Sequence, residues 1–235
     1  MRRALTSILL VLAMLALGAC GGDDDTSGQN NLIPKEESGA PESAAKAPAK
    51  PGECKQIEAP APRPDGGEEK PTSELDPAKT YEVEVSTNCG SFTIELDQKT
   101  SPTTAASFVA LAKKGFFDGT IFHRIVPGFV IQGGDPTGAG TGGPGYSTVD
   151  KPPADAAYTK GVVAMAKTGE EAPGTSGSQF YVVTGEDAGL PPEYALLGKV
   201  TKGLDVTQKI GELGDPATEM PLQPVAIDTA KVSER

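Results

Sequence analysis

Alternation of apolar and polar residues with period two begins only at Tyr81, and that late onset limits what this chain can fold into. Tyr81-Glu82-Val83-Glu84-Val85 alternates, and residues 91–96 resume with Phe92, Ile94 and Leu96 on one face, as half-buried strands do. Asn88-Cys89-Gly90 between the two runs marks a hairpin. Residues 20–78 are rich in Pro, Ala, Glu and Lys and carry too little apolar surface to offset the entropy of ordering them. They are expected as a disordered, extended and semi-stiff tether. One domain over residues 79–231 follows, large enough to bury a core without metals or many disulfides. With no tryptophan in the chain, that core must rest on Val, Ile, Leu and Phe.

Within the domain, residues 101–115 open on Ser101-Pro102, place Ala105, Phe108, Val109, Leu111 and Ala112 at helical spacing, and stop at Lys113-Lys114-Gly115. Short β-type runs at 120–125, 129–132, 161–165, 179–183 and 196–200 are broken by Gly and Pro. A short helix over 204–210 and a strand over 225–232 complete the pattern. Many short strands, two helices and no βαβ rhythm predict an antiparallel sheet closed or nearly closed into a barrel.

Residues 1–19 read as an export leader: Arg2 and Arg3, an apolar run over 8–17, then Leu17-Gly18-Ala19-Cys20. The run is shorter than the roughly 20 residues a spanning helix needs. The segment resembles a bacterial lipoprotein signal. That resemblance implies cleavage before Cys20, a lipid on its thiol, and a protein exported and held at the membrane outside the cytoplasm. An ordinary cleaved leader is the alternative. Cys54 and Cys89 are the other two cysteines, and in an oxidising compartment they could pair or stay free.

The most informative segment is Phe122-His123-Arg124-Ile125-Val126-Pro127-Gly128-Phe129-Val130-Ile131-Gln132-Gly133-Gly134-Asp135. Two further blocks follow in order: Gly161-Val162-Val163-Ala164-Met165-Ala166 with Gly177-Ser178-Gln179-Phe180-Tyr181, and Leu196-Leu197-Gly198-Lys199-Val200. Together they resemble the cyclophilin family over nearly all of residues 79–231. The resemblance implies a mainly β fold, a closed antiparallel eight-stranded barrel capped by two helices. It also implies peptidyl-prolyl cis/trans isomerase activity on proline-containing polypeptides, with no cofactor; a monomer is expected, although the sequence itself does not fix the oligomeric state.

By the same resemblance Arg124 is the catalytic donor, Phe129, Val130 and Tyr181 line a proline socket, and Gln132 orients the guanidinium and contacts substrate backbone. Ala166, Lys167 and Gln179 grip the residues before proline, and Gly140, Leu190 and Tyr194 complete the rim. Val130, Lys167 and Tyr194 depart from the family's usual methionine, asparagine and histidine, which tunes the rim. A residue type like Arg124 suits the chemistry because its planar, permanently charged fork can donate to a proline nitrogen that regains its lone pair as the amide twists.

Other signals weigh less. A net charge of −11 and the lack of any basic cluster interleaved with aromatics exclude a nucleic-acid role. His123, the single histidine, is expected to be structural. Gly138-Ala139-Gly140-Thr141-Gly142-Gly143 matches a dinucleotide fingerprint in form, but Pro144-Gly145 follows at once and no helix can start there. The acidic runs at 23–25 and 66–69 lack calcium-loop spacing, and no Cys/His metal spacing occurs. A non-catalytic module with the same groove is the main rival to the enzyme.

Overall fold

The computed structural model describes residues 53–235; the expected leader, Cys20 and the first part of the expected tether lie outside the described residues. The elements are β1 (Tyr81–Thr87), β2 (Gly90–Leu96), α1 (Pro102–Lys113), β3 (Arg124–Val126), β4 (Val130–Gly133), β5 (Thr148–Val149), β6 (Val162–Met165), β7 (Thr175–Ser176), β8 (Phe180–Val183), β9 (Leu196–Lys202), α2 (Leu204–Gly211) and β10 (Ile227–Glu234). Eight strands form one antiparallel sheet in the order β10-β1-β2-β9-β6-β8-β4-β3, and β5 pairs with β7 alone.

The sheet is a curled half-barrel, which corrects the expectation of a closed barrel. Closure would require β3 to pair with β10. The outer edge of β3 is already occupied, since the Ile125 N–H donates to the Glu219 carbonyl at 2.9 Å. Between the two edge strands runs an irregular segment, in which Ile121 makes single bridges to Asp135 on one side and Ala226 on the other.

The interior face of the sheet follows from the alternation. Ile125, Ile131, Val182 and Val163 are cross-strand partners or their neighbours in register, and all are fully buried. Against them pack Phe92, Phe108, Phe117, Phe122 and Phe180, with Phe108 edge-on to Phe180 at 5.5 Å between ring centroids. Helix α1 contributes Phe108, Val109 and Leu111 from its buried face and lies against β10 and β5. Pro102 suits its first turn, where an N–H would lack a partner in any case. Ser101 makes no side-chain cap, and the Asp150 carboxylate supplies one from outside the helix, accepting from the Thr104 N–H at 2.6 Å and the Thr103 hydroxyl at 2.7 Å.

Residues 53–78, part of the expected tether, are laid along the domain as a strap. Cys54 is disulfide-bonded to Cys89, which closes a loop with a sequence separation of 35. Beside the bridge, Lys55 and Asn88 exchange two hydrogen bonds of 2.8 Å. Further on, the Arg63 N–H donates to the Pro136 carbonyl at 2.8 Å and its guanidinium covers the Phe116 ring at 5.6 Å. Leu75 packs on the main core. These contacts dock residues 53–78 on the domain.

Candidate active site

The β3–β4 hairpin sets the geometry. Val126-Pro127-Gly128-Phe129 forms its turn, closed by the Phe129 N–H on the Val126 carbonyl at 3.0 Å, with Gly128 at φ 69° in the left-handed region that a turn of this kind requires after proline. The register then pairs Arg124 with Gln132, Gln132 with Tyr181 on β8, and Tyr181 with Ala164 on β6. Directly opposed residues point to the same face. One row of side chains therefore crosses four strands on the outside of the curled sheet, while the row between them fills the core.

Over this outer row lies a cavity of about 350 Å³ lined by Arg124, Phe129, Val130, Gln132, Ala166, Lys167, Tyr181, Leu190 and Tyr194. Its floor is a second apolar cluster of Val130, Tyr158, Ala164, Tyr181 and Val183, with Phe129, Leu190 and Tyr194 packed on it. Tyr158, Tyr181 and Tyr194 form a three-ring set with centroids 5.7 to 6.4 Å apart. Tyr158 anchors the rim by donating to the Tyr194 carbonyl at 2.6 Å and accepting the Tyr194 N–H at 3.0 Å. The Tyr181 hydroxyl is buried without a partner, and burial, with Tyr158 and Tyr194 adding to it, pushes its pKa far up. It stays a neutral donor.

What holds Arg124 is not what the sequence predicts. The Arg124 Nε–H donates to Glu219 Oε2 at 2.7 Å, an ion pair of which both side chains remain partly exposed. Gln132, the expected orienting group, instead donates its amide to Gln179 Oε1 at 3.0 Å, and Gln179 donates to the Gly142 carbonyl at 2.9 Å. Glu219 sits in a tight loop over residues 213–222, where Gly214 bridges Pro221 and the Asp215 carboxylate accepts from the N–H groups of Ala217 and Thr218. It is the one non-glycine residue with positive φ among those described, at 59°.

Lys167 lines the cavity, but its ammonium is already engaged: with Glu193 Oε2, the Thr168 carbonyl and the Glu171 carbonyl, each at 3.2 Å, above the Tyr194 ring. It acts as a rivet between rim segments. Gly140 and Gln179 fall outside the cavity and line a neighbouring depression of about 550 Å³, which shares Gln132, Ala166 and Lys167 with it. Nine of the eleven expected binding residues thus meet in one hollow and two in the next.

Asp135, at the end of the motif, is fully buried and cradles the glycine-rich loop. Its carboxylate accepts from the N–H and hydroxyl of Thr137 at 2.7 and 2.8 Å and from the Gly140 N–H at 2.5 Å. Burial pushes this carboxyl up, and the hydrogen bonds from Thr137, Gly142 and Gly140 outweigh it and hold it below the usual value. Among the described residues no group of three His, Cys, Asp or Glu side chains could hold a metal ion.

Tyr158 and Glu219 escape sequence reading. Tyr158 lies in a stretch without periodicity, and Glu219 is 95 residues from the arginine it binds.

Comparison with known proteins agrees with this arrangement. The family model described as cyclophilin type peptidyl-prolyl cis-trans isomerase/CLD matches residues 82–232. The chain is 38% identical over 149 residues to peptidyl-prolyl cis-trans isomerase ppi1 of Schizosaccharomyces pombe, covering 62% of this chain and 94% of that one. It is 39% identical over 177 residues to the probable peptidyl-prolyl cis-trans isomerase B of Mycobacterium tuberculosis, covering 65% and 56% respectively. The crystal structure of a Cryptosporidium parvum cyclophilin type peptidyl-prolyl cis-trans isomerase superposes with a TM-score of 0.60 at 31% identity, covering 66% of this chain and 98% of that one. An outer-face hollow with one clamped arginine, the ordered sequence blocks and these relatives agree: the chain belongs to the cyclophilin-type peptidyl-prolyl cis-trans isomerase family.

Proposed function

We propose that this chain accelerates rotation about X–Pro bonds with Arg124 as the group that favours the twisted amide. Uncatalysed rotation crosses a barrier of roughly 18–20 kcal/mol because it breaks amide resonance. No covalent step is required. The catalyst must stabilise the twisted form more than either planar form, and a gain of about 10⁵ corresponds to about 7 kcal/mol of such difference. The proline ring would occupy the apolar hollow of Phe129, Val130 and Tyr181. The Arg124 guanidinium, fixed through Nε by Glu219, keeps its other N–H groups for the proline nitrogen and the adjoining carbonyl.

The observation that carries this reading is a guanidinium held by Glu219 on the rim of a cavity of about 350 Å³ with Phe129, Val130 and Tyr181 in its lining. Exchange between cis and trans forms of a short X–Pro peptide, followed by NMR, tests it. Arg124→Ala should lower kcat/KM by about 10²–10³-fold, the loss typical of one preorganised donor. Peptide affinity without exchange in the wild type would instead make the chain a binder.

The wider setting is part of the same proposal. The Arg2-Arg3 start, the apolar run over 8–17 and the small residues before Cys20 support export and lipid attachment at Cys20. The clients would then be exported polypeptides whose folding waits on proline isomerisation, which takes tens of seconds unaided. Cys20→Ser should release the protein from the membrane fraction, and unchanged retention there would sink the anchor.

A further inference from the structure

The strap lies ahead of residues 82–232, over which the family model matches, yet it closes on a loop that leads into the site. Residues 138–145 of that loop contain five glycines, a composition with many accessible conformations. Gly142 and Gly143 at its centre are nevertheless held at every backbone group. The Gly142 N–H donates to the Asp135 carboxylate from within, and the Gly143 carbonyl accepts the Gly66 N–H of the strap at 3.0 Å. The two groups between them belong to one peptide plane. Its N–H, on Gly143, donates to Asp65 Oδ1 of the strap at 2.8 Å, and its carbonyl, on Gly142, accepts from Gln179 Nε2 at 2.9 Å. From there the series runs inward, since Gln179 Oε1 accepts from Gln132 Nε2 at 3.0 Å. Gln132 lines the hollow beside Arg124.

This series of hydrogen bonds has a direction. A side-chain amide has one donor end and one acceptor end. The Gly142 carbonyl takes the donor end of Gln179, which turns the Gln179 oxygen toward Gln132. Gln132 must answer with an N–H, and its oxygen is the end left over for the hollow. Were the peptide plane turned over, an N–H would face Gln179 and both amides would have to reverse. That turn alters only the bonds on either side of a peptide between two glycines, where no Cβ opposes it. Even an added Cβ on Gly143 would meet nothing within 4 Å. The strap supplies the missing constraint. A carboxylate offers acceptors only, so Asp65 holds the N–H outward and has nothing to donate to the carbonyl that a turned plane would present.

We propose that Asp65 is a positioning residue for the isomerase site: by fixing the Gly142–Gly143 peptide from outside, it sets Gln179 and through it Gln132, so that Gln132 offers its oxygen to a backbone N–H of the bound polypeptide. The proposal rests on the isomerase reading of the hollow. Hydrogen bonds in series polarise one another, so a group three bonds removed from Gln132 still acts on it.

The test uses the full chain and one X–Pro peptide, with exchange and the side-chain amide signals of Gln132 and Gln179 both followed by NMR. Asp65→Ala should lower kcat/KM by about three- to tenfold, the scale of one modest hydrogen bond, and should shift both amide signals together. Asp65→Asn, which keeps an acceptor oxygen, should recover part of the loss and move the signals less. Lys70→Ala is the control for general loosening of the strap, because Lys70 Nζ donates to the Ser147 carbonyl at 2.9 Å, outside the series. It should leave turnover and both signals near the wild type. Wild-type kcat/KM in Asp65→Ala, a loss of turnover with both amide signals unmoved, or an equal loss in Lys70→Ala would overturn the positioning role. Absence of exchange in the wild type, with the two amides still moving together in Asp65→Ala, would sink the isomerase reading and support the coupling of Asp65 to Gln132.

Discussion

His123 shows how little a residue type decides without its surroundings. The single histidine of the chain stands next to Arg124, yet its Nδ1 is buried without a partner and the ring packs under Gly140. Burial lowers its pKa, against a smaller upward pull from Asp135 and a hydrogen bond at Ile121. A folded-state value below the unfolded one, about 6.5, means that the unfolded chain binds more protons in that window. Its contribution to stability is therefore complete above about pH 6.5 and declines as pH falls toward the lowered folded value. Urea unfolding between pH 8 and 5.5 should show this decline in the wild type and a flatter profile in His123→Gln. Asp135, with its depressed pKa, acts in a lower window: its contribution is present above about pH 3.9 and is lost as pH falls through the folded value. The two effects separate on the pH axis. That Arg124 lines the outer hollow was legible because its neighbours in sequence carry the motif. The residue that fixes it was not, since ion pairs between distant positions leave no local pattern.

At the scale of elements, the long strands and both helices could be read from their periods. The two-residue strands β5 and β7 could not, because two residues carry no period. The closed barrel failed for a related reason: alternation tells which side of a strand is buried but not whether the last edge finds the first. Here that edge is met by the 213–222 loop. A Cβ at Gly214 would lie 2.2 Å from the Ile125 carbonyl oxygen, so the loop reaches β3 only with glycine there. The same loop holds Glu219 at positive φ, a backbone state that costs a non-glycine residue about 1–2 kcal/mol. Local strain here holds a carboxylate against the arginine. Glu219→Gly should relieve the strain, keeping or raising the urea midpoint, while lowering kcat/KM by about three- to tenfold. Glu219→Gln, which keeps an acceptor, should recover part of that loss. Equal turnover in all three proteins would detach Glu219 from the site.

Across the whole molecule, the largest difference between sequence and structure is the strap. Its polar, proline-rich composition correctly excludes an independent core, but composition does not register hydrogen bonds to another segment or a covalent tie. Cys54 and Cys89 were legible as a possible pair, and the docking of residues 55–70 was not. In the chain-entropy account, a closed loop of this size stabilises the fold by about 3–4 kcal/mol, less whatever order the strap keeps without it. Cys54→Ser/Cys89→Ser should lower the unfolding free energy by up to that amount in denaturant titration, and a change below about 0.5 kcal/mol would mean that the hydrogen bonds alone hold the strap.

The bridge also decides where a mechanical load enters. Thr80 and Arg235 exchange backbone hydrogen bonds, so both ends of the sheet-forming region meet at one corner. A pull from the chain before Cys54 would not peel the strap residue by residue toward that corner. It would pass through the sulfur bridge into the β1–β2 hairpin at Cys89 and leave residues 55–88 slack. The strap thus lies in a sheltered loop off the line of force.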